Sequence, residues 1–427
     1  MNRYQQYMYS YPHKTAYGPL TGVRLDDYKP RLLETADNSL YVHVPFCEAK
    51  CGYCNLFSLA GQSETVVTDY LAAMRRQLAQ YELGQVTFRD LTIGGGTPLF
   101  LSAQGLEALL SLAREGVHYA AAKPEIIIET SPRQTTADKV QVLRQFGVTR
   151  VSLGVQSFHD TELRTLGRVH RREDIHRALR LLRAADFACL NVDLIYGVPG
   201  QSAESVSASL DEALSYQPEE IFLYPLYVKP GTGLYRQGQR VSEDAYPLYR
   251  LLREKLLAQG YGQSSMRRFV RGGVAEADPW QGCGYHEHTI AIGCGGRSYI
   301  DELHFCVPYS VRPEGCARTL AHYLHKSDHQ AITHGYILSA DERRRRYVLK
   351  NLLDYRGLPT AQYEALFGSE PQADFPELSA WQAAGWVYAD DAGNLRLTEA
   401  GLDLSDYLGP ALISAEVRAK METWRDE

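Results

Sequence analysis

Cys47, Cys51 and Cys54 stand together in the stretch VPFCEAKCGYCNLF. Three thiolates at C-x3-C-x2-C spacing on one tight loop are metal ligands by type and pattern. A structural zinc needs a fourth Cys or His, and the nearest histidine, His43, belongs to the apolar run before the loop. A [4Fe–4S] cubane normally takes one thiolate per iron, so three thiolates leave one iron open to an external ligand. Buried, inert cysteines are the blander reading, and the clustering argues against it.

Other residues whose types suit a ligand follow at regular distances. Gly94-Gly95-Gly96-Thr97-Pro98 ends an apolar run, and its glycines leave backbone N–H and C=O groups open to close approach. Glu129 closes the run EIIIET, Gln156 follows RVSLGV, and Asp193 sits within LNVDLIYG. Each alone is as easily a satisfied structural polar group. Arg168 suits bidentate pairing of a carboxylate, or is an ordinary surface arginine.

These residues need a scaffold that brings strand ends together. Apolar runs at 40–44, 90–93, 125–130, 150–155, 190–197 and 220–228 alternate with amphipathic segments that start after Ser or Thr or end in Gly. This rhythm predicts parallel strands joined by right-handed crossovers, in an α/β fold. Six units fall short of a closed eightfold barrel, so the expectation is a partial (βα)6 barrel over 39–235. Ligands bind at the carboxyl ends of strands in such folds. Residues 1–38 read as an aromatic arm and 236–335 as an irregular, Gly- and Arg-rich extension. Residues 336–427 read as a winged-helix-like α+β module, with Asp390, Asp391, Gly393 and Asn394 marking a hairpin turn. The Arg343–Arg346 run is expected to be a solvated helix face rather than a phosphate contact.

Among 427 residues the net charge is −6 and no region is basic overall, which argues against nucleic acid or a membrane surface as partner. No stretch approaches the roughly 18 apolar residues of a membrane span, and the first residues hold no secretory apolar run. A cytoplasmic protein is expected. In a reducing compartment its 8 cysteines are not a disulfide framework. Cys189, Cys283, Cys294, Cys306 and Cys316 lack metal-ligand spacing and are expected to be small buried hydrophobes.

The cluster motif CEAKCGYC after YVHVPF resembles that of radical S-adenosylmethionine enzymes. More closely it is similar to the oxygen-independent coproporphyrinogen III oxidase-like family, with its haem chaperone and haem-directed methyltransferase relatives. The likeness covers residues 4–235 well and the C-terminal module loosely. It implies a [4Fe–4S] cluster on Cys47, Cys51 and Cys54, with one S-adenosylmethionine or two. It also implies cofactor contacts at Tyr41, Tyr53, Gly95, Gly96, Thr97, Glu129, Gln156, Arg168 and Asp193. A tetrapyrrole-like substrate and reduced flavodoxin or ferredoxin as electron donor follow from the same likeness.

The segment YMYSYPHKTAYGPL resembles the arm that crosses the active site of the oxidases. Tyr227 and Tyr299 replace residues where those oxidases bind a second S-adenosylmethionine, and Leu56 replaces a further cysteine. The chain thus leaves the oxidase pattern near the site itself. Arg267, Arg268 and Arg271 are expected either to hold substrate carboxylates or to be exposed. His286 and His288 are expected to be loop residues rather than haem ligands. The competing readings are a radical enzyme acting on a porphyrinogen, a haem-carrying chaperone, and a winged-helix DNA binder with a sensing cluster.

Overall fold

A computed structural model describes residues 3–243, 245–272 and 288–426. They divide into two compact units, one of 18–255, 288–335 and 425–426, the other of 3–17, 256–272 and 336–424.

The larger unit is built on one sheet. Its strands are β1 (Gly18–Arg24), β2 (Asn38–Val44), β3 (Thr87–Gly95), β4 (Glu125–Thr130), β5 (Arg150–Gln156), β6 (Cys189–Tyr196) and β7 (Glu220–Pro225). Then come β8 (His288–Ile292), β9 (Ser298–Ile300), β10 (Leu303–Phe305) and β11 (Ala331–Ile337). Within this unit their spatial order is β1-β11-β10-β9-β8-β2-β3-β4-β5-β6-β7. From β2 to β7 every neighbouring pair is parallel, as the βα rhythm predicts. The crossovers run through α1 (Glu64–Tyr81), α2 (Ala103–Leu112), α3 (Ala137–Gln145), α4 (Asp160–Thr165), α5 (Arg172–Ala184) and α6 (Ala203–Leu214). Ser63, Ser102 and Ser202 each accept a backbone N–H of the helix they precede, which ends the loop and starts the helix. Helix α5 buries Ile175, Ala178, Leu179 and Leu182, the single apolar face its spacing sets out. Strands covered on both faces become continuous apolar runs, so β2 is buried along nearly its whole length.

The stretch expected to be irregular departs from expectation. Strand β8 lies parallel to β2, with Ala291 opposite Tyr41, and extends the parallel sheet by a seventh strand. Its five residues are too short to stand out from glycine-rich flanks as a pattern. His288 opens this strand, is buried, and donates from Nδ1 to the Asn38 amide oxygen at 3.2 Å. It is a strand residue, not a loop residue; His286 and Cys283 lie outside the described residues. Cys294 and Cys316 are buried, as expected of small hydrophobes.

In the smaller unit, helices Ala340–Leu352, Thr360–Phe367 and Pro376–Ala383 precede a hairpin of β12 (Val387–Ala389) and β13 (Leu395–Leu397). Its turn falls where expected: the Asp390 carboxylate accepts from Ala392 N and Asn394 N at 3.0 and 2.9 Å. Arg344 and Arg345 pair with Asp374 and Asp341, so these two arginines of the Arg343–Arg346 run are tied within the unit. The N-terminal tyrosines are packed. Tyr11 is buried, donates to Glu342 and receives the Ser414 N–H at 3.2 Å. Arg267 is buried too, ion-paired with Asp406, with Tyr7 against its guanidinium at 3.8 Å. That corrects the view of Arg267 as a substrate-carboxylate ligand, because a buried cation already matched to an aspartate is structural. No helix among the described residues is long and apolar enough to cross a membrane.

Candidate metal centre and cofactor site

The three cysteines follow β2 at its carboxyl end. The loop is drawn closed at its neck by a short parallel pairing of Phe46–Cys47 with Leu59–Ala60, and by Gly61 N donating to Cys47 O at 3.0 Å. Inside it, Cys54 N donates to Cys51 O at 3.1 Å. Gly52 N reaches Leu166 O at 2.9 Å, and Leu234 N reaches Gly52 O at 2.7 Å. The loop therefore cannot move without breaking ties to two other βα connections.

All three cysteines are free thiols. Burial, with Cys54 nearby, pushes the Cys47 thiol up to about 12, and burial also raises Cys54. Ligation must then release protons, so metal loading is favoured by higher pH. Among the described residues no three His, Cys, Asp or Glu groups converge as a single metal ion requires.

The glycine loop after β3 lies directly on this loop. Gly96 N donates to Val44 O and Thr97 N to Phe46 O, both at 2.8 Å. A Cβ at Gly96 would stand 2.6 Å from Phe46 O and 2.9 Å from Cys47 Sγ, so only glycine permits the approach. Thr97 Oγ1 points at Cys47 Sγ at 3.7 Å. From the other side Arg168 donates to Cys51 Sγ at 3.1 Å and to Gly154 O at 2.5 Å. Its Nε is buried with no hydrogen-bond partner, which marks an unmet demand for an acceptor at this spot.

The polar residues at the strand ends join the same group. Glu129 Oε2 accepts the Gly95 N–H at 3.2 Å. Asp193 stands opposite Gly154 in the β5–β6 ladder and accepts from Asn191 Nδ2 at 2.8 Å. Gln156 ends β5 at φ +72°, a left-handed conformation that a side chain adopts only where its surroundings impose it. Burial, then the neighbouring Asp193, pushes the Glu129 carboxyl up to about 7, and the Gly95 N–H holds it lower than it would otherwise be. Burial likewise raises Asp193 to about 6. The Glu129 side chain is nonetheless open to solvent.

Contacts and electrostatic coupling thus link Gly95, Gly96, Thr97, Glu129, Arg168 and Asp193 to the cysteine loop and to Tyr53 on it, whereas Gln156 is tied only to the neighbouring strand. Tyr41 reaches the cysteine loop through His43. Its hydroxyl donates to Nδ1 at 3.1 Å while Nε2–H donates to the Phe57 carbonyl at 3.1 Å, which sets the imidazole tautomer. His43, Asn191 and Gly154 are missing from the residues the sequence singles out. A lone polar residue inside an apolar strand, as in YVHV and LNVD, is the signal that marks two of them. The apolar cluster of Leu166, Ile195, Val198, Leu226 and Leu234, with Tyr53 packed on it, is assembled from four connections and has no local signature. Tyr299 is buried edge-on against His304, ring centroids 4.7 Å apart.

A parallel α/β sheet that presents three spaced thiolates, a glycine cradle and two carboxylates toward its strand ends suits an iron–sulfur protein. The radical SAM superfamily model matches residues 41–213 and the HemN C-terminal domain model matches 338–404. The heme chaperone HemW of Bacillus subtilis is 30% identical over 273 residues, covering 61% of this chain and 71% of that one. The Escherichia coli HemW is 32% identical, covering 61% and 70%. The oxygen-independent coproporphyrinogen III oxidase of Pseudomonas aeruginosa is 28% identical, covering 86% and 82%. The structure of the Escherichia coli coproporphyrinogen III oxidase HemN shares the fold, with a TM-score of 0.80 at 24% identity over 95% and 96% of the chains. The chain belongs to the radical S-adenosylmethionine superfamily, in the family of HemW and the oxygen-independent coproporphyrinogen III oxidases. A [4Fe–4S] cluster and S-adenosylmethionine are therefore its cofactors, and the thiols, the Gly96 cradle and the unpartnered Arg168 Nε fit that pair.

Proposed function

We propose that Cys47, Cys51 and Cys54 hold the cluster and that Glu129, the Gly95–Thr97 backbone, Gln156, Arg168 and Asp193 hold S-adenosylmethionine for a reaction on a tetrapyrrole, with Tyr41 and Tyr53 completing the cofactor site. When bound, these cofactors supply reductive cleavage of the sulfonium to methionine and a 5′-deoxyadenosyl radical that takes hydrogen from the substrate. The chain's own part is placement. Glu129 and the glycine carbonyls receive the ligand's ammonium, Arg168 faces its carboxylate, and Tyr53 on its apolar cluster offers a flat surface for the adenine. Oxidation or decarboxylation of a porphyrinogen is the favoured reaction, with reduced flavodoxin or ferredoxin as electron source. The observation that carries it is the extent of likeness to the coproporphyrinogen oxidase, which runs through most of the chain where the likeness to HemW stops short. A haem-carrying chaperone is the second reading, supported by the higher identity of the HemW relatives over the part they share.

Anaerobic incubation of the reconstituted protein with coproporphyrinogen III, and separately with haem, tests the choice. Substrate-dependent 5′-deoxyadenosine and a porphyrinogen lighter by carbon dioxide and two hydrogens for each side chain converted support the oxidase reading. Stoichiometric haem binding with no substrate-dependent cleavage supports the chaperone instead.

Glu129 also gives the cofactor site a pH dependence. A cationic ligand selects the ionised carboxyl, so binding is weakened below about 7, by up to about tenfold per pH unit. S-adenosylmethionine affinity by calorimetry is expected to rise about tenfold between about pH 6 and pH 8, and to be weaker and less dependent on pH in Glu129→Gln. The sign for folding is opposite. Without ligand, a carboxyl raised above its unfolded value loses stability as pH climbs from its ordinary value to about 7. An unchanged pH profile in the variant would remove Glu129 from the ammonium site.

A further inference from the structure

Besides its ties to the sheet, the cysteine loop is gripped from behind by a segment more than 250 residues away in sequence. Lys50, between the first two cysteines, donates from Nζ to Leu56 O at 3.2 Å, Ser58 O at 3.3 Å and Val311 O at 2.7 Å. An ammonium has three N–H groups, and all three acceptors are carbonyls, so the side chain is saturated as a clamp. It joins the turn between the first two ligands to the turn after the third. Tyr309 adds a second tie, its hydroxyl donating to Asn55 O at 2.6 Å, next to Cys54.

The segment that makes these ties is itself pinned. Asp426 accepts Ser310 Oγ at 2.5 Å with one carboxylate oxygen, and Val311 N and Arg312 N, both at 3.0 Å, with the other. The Ser310 carbonyl accepts the buried Cys316 thiol at 3.3 Å. Val311 is thus held at its N–H by Asp426 while its carbonyl holds Lys50. Charge-assisted bonds of this kind are about twice as strong as neutral ones. None of these residues carries a motif, and none lies among those proposed to touch the cofactors.

We propose that Lys50, Tyr309 and Asp426 form a strap of positioning residues that holds the cysteine loop in its ligating shape, Asp426 acting on the loop through Val311 and Lys50. The strap rests on the assignment of the three cysteines as cluster ligands. Its consequence is retention of the cluster: with the strap loosened, the turns bearing Cys51 and Cys54 drift, and iron is lost sooner.

The test compares wild type, Lys50→Met, Asp426→Ala, the double variant and Tyr309→Phe, each reconstituted anaerobically. Bleaching of the cluster absorbance in excess chelator is followed, together with thermal melting of the apoproteins by circular dichroism. Lys50→Met and Asp426→Ala are each expected to speed cluster loss by at least about tenfold, since each removes charge-assisted hydrogen bonds that hold the loop. The double variant is expected to lose its cluster no faster than Lys50→Met, because both residues act through one peptide. Tyr309→Phe should give a smaller acceleration, and the apoprotein melting temperatures should agree to within about 2 °C. Wild-type loss rates in the single variants would overturn the strap. So would multiplying rates in the double variant, or acceleration matched by falling apoprotein melting temperatures. Failure of the wild type to take up iron at all would instead sink the ligand assignment, and the strap with it.

Discussion

Cys51→Ala is expected to yield a colourless protein that takes up no stable cluster and produces no 5′-deoxyadenosine. The reason lies in ligand number. A cubane held by three thiolates keeps one iron for the co-ligand, and removing a thiolate leaves two irons without protein ligands. Cys51 is also the thiol that Arg168 contacts, so alanine there strips the guanidinium of its sulfur partner as well. Iron content, the visible absorbance and the cleavage assay under dithionite read the result. Because Cys51 is only half-buried and contributes little packing, the apoprotein should melt as wild type does. Cleavage persisting at a tenth of the wild-type rate or more would refute the assignment.

The second large effect is expected at the opposite end of the strands. Arg150 opens β5 and Glu220 opens β7, and both side chains are 4% exposed. Arg150 donates from Nε to Glu220 Oε2 at 2.9 Å, with a second guanidinium N–H on the same carboxylate oxygen. Two buried charges stabilise a fold only as a pair, because each alone bears a desolvation penalty that its partner offsets. Glu220→Ala removes the carboxylate that offsets the buried guanidinium and is expected to cost about 3–5 kcal/mol. Urea unfolding of the apoprotein should show it as a lower midpoint at constant slope. Arg150 also helps hold down the Asp193 carboxyl, three residues along the neighbouring strand from Leu190, which faces Val151. A joint change of Glu220 to Leu and Arg150 to Met should recover most of the loss, since burying no charge avoids the penalty. A single variant as stable as wild type would show that water reaches the pair.

Much of the site is visible in the chain before it folds. The metal ligation proposed for Cys47, Cys51 and Cys54 rests on one short loop, so spacing alone suggests it. Gly94–Gly96, Glu129, Gln156 and Asp193 are legible because parallel βα units bring the carboxyl ends of successive strands to one edge, and the strand positions follow from apolar runs. The hairpin turn at Asp390 is local in the same way. The family likeness adds the cofactors, since it rests on those same local motifs.

Everything that depends on two distant segments meeting was settled only by packing. Strand β8 joins β2, and His288 finds Asn38, because a short buried strand is chosen by the edge it completes rather than by its own pattern. Arg267 looked like a free cation, and its sequence neighbours give no hint of Asp406. Arg168 suits a carboxylate by type, and the contact it also makes to the Cys51 sulfur has no counterpart in its sequence neighbours. The ties from Lys50 to Val311 and from Val311 to Asp426 span 261 and 115 residues. Hydrogen-bond capacity is written in the residue type, whereas the partner is decided by which backbones the sheet and its crossovers leave within about 3 Å of one another.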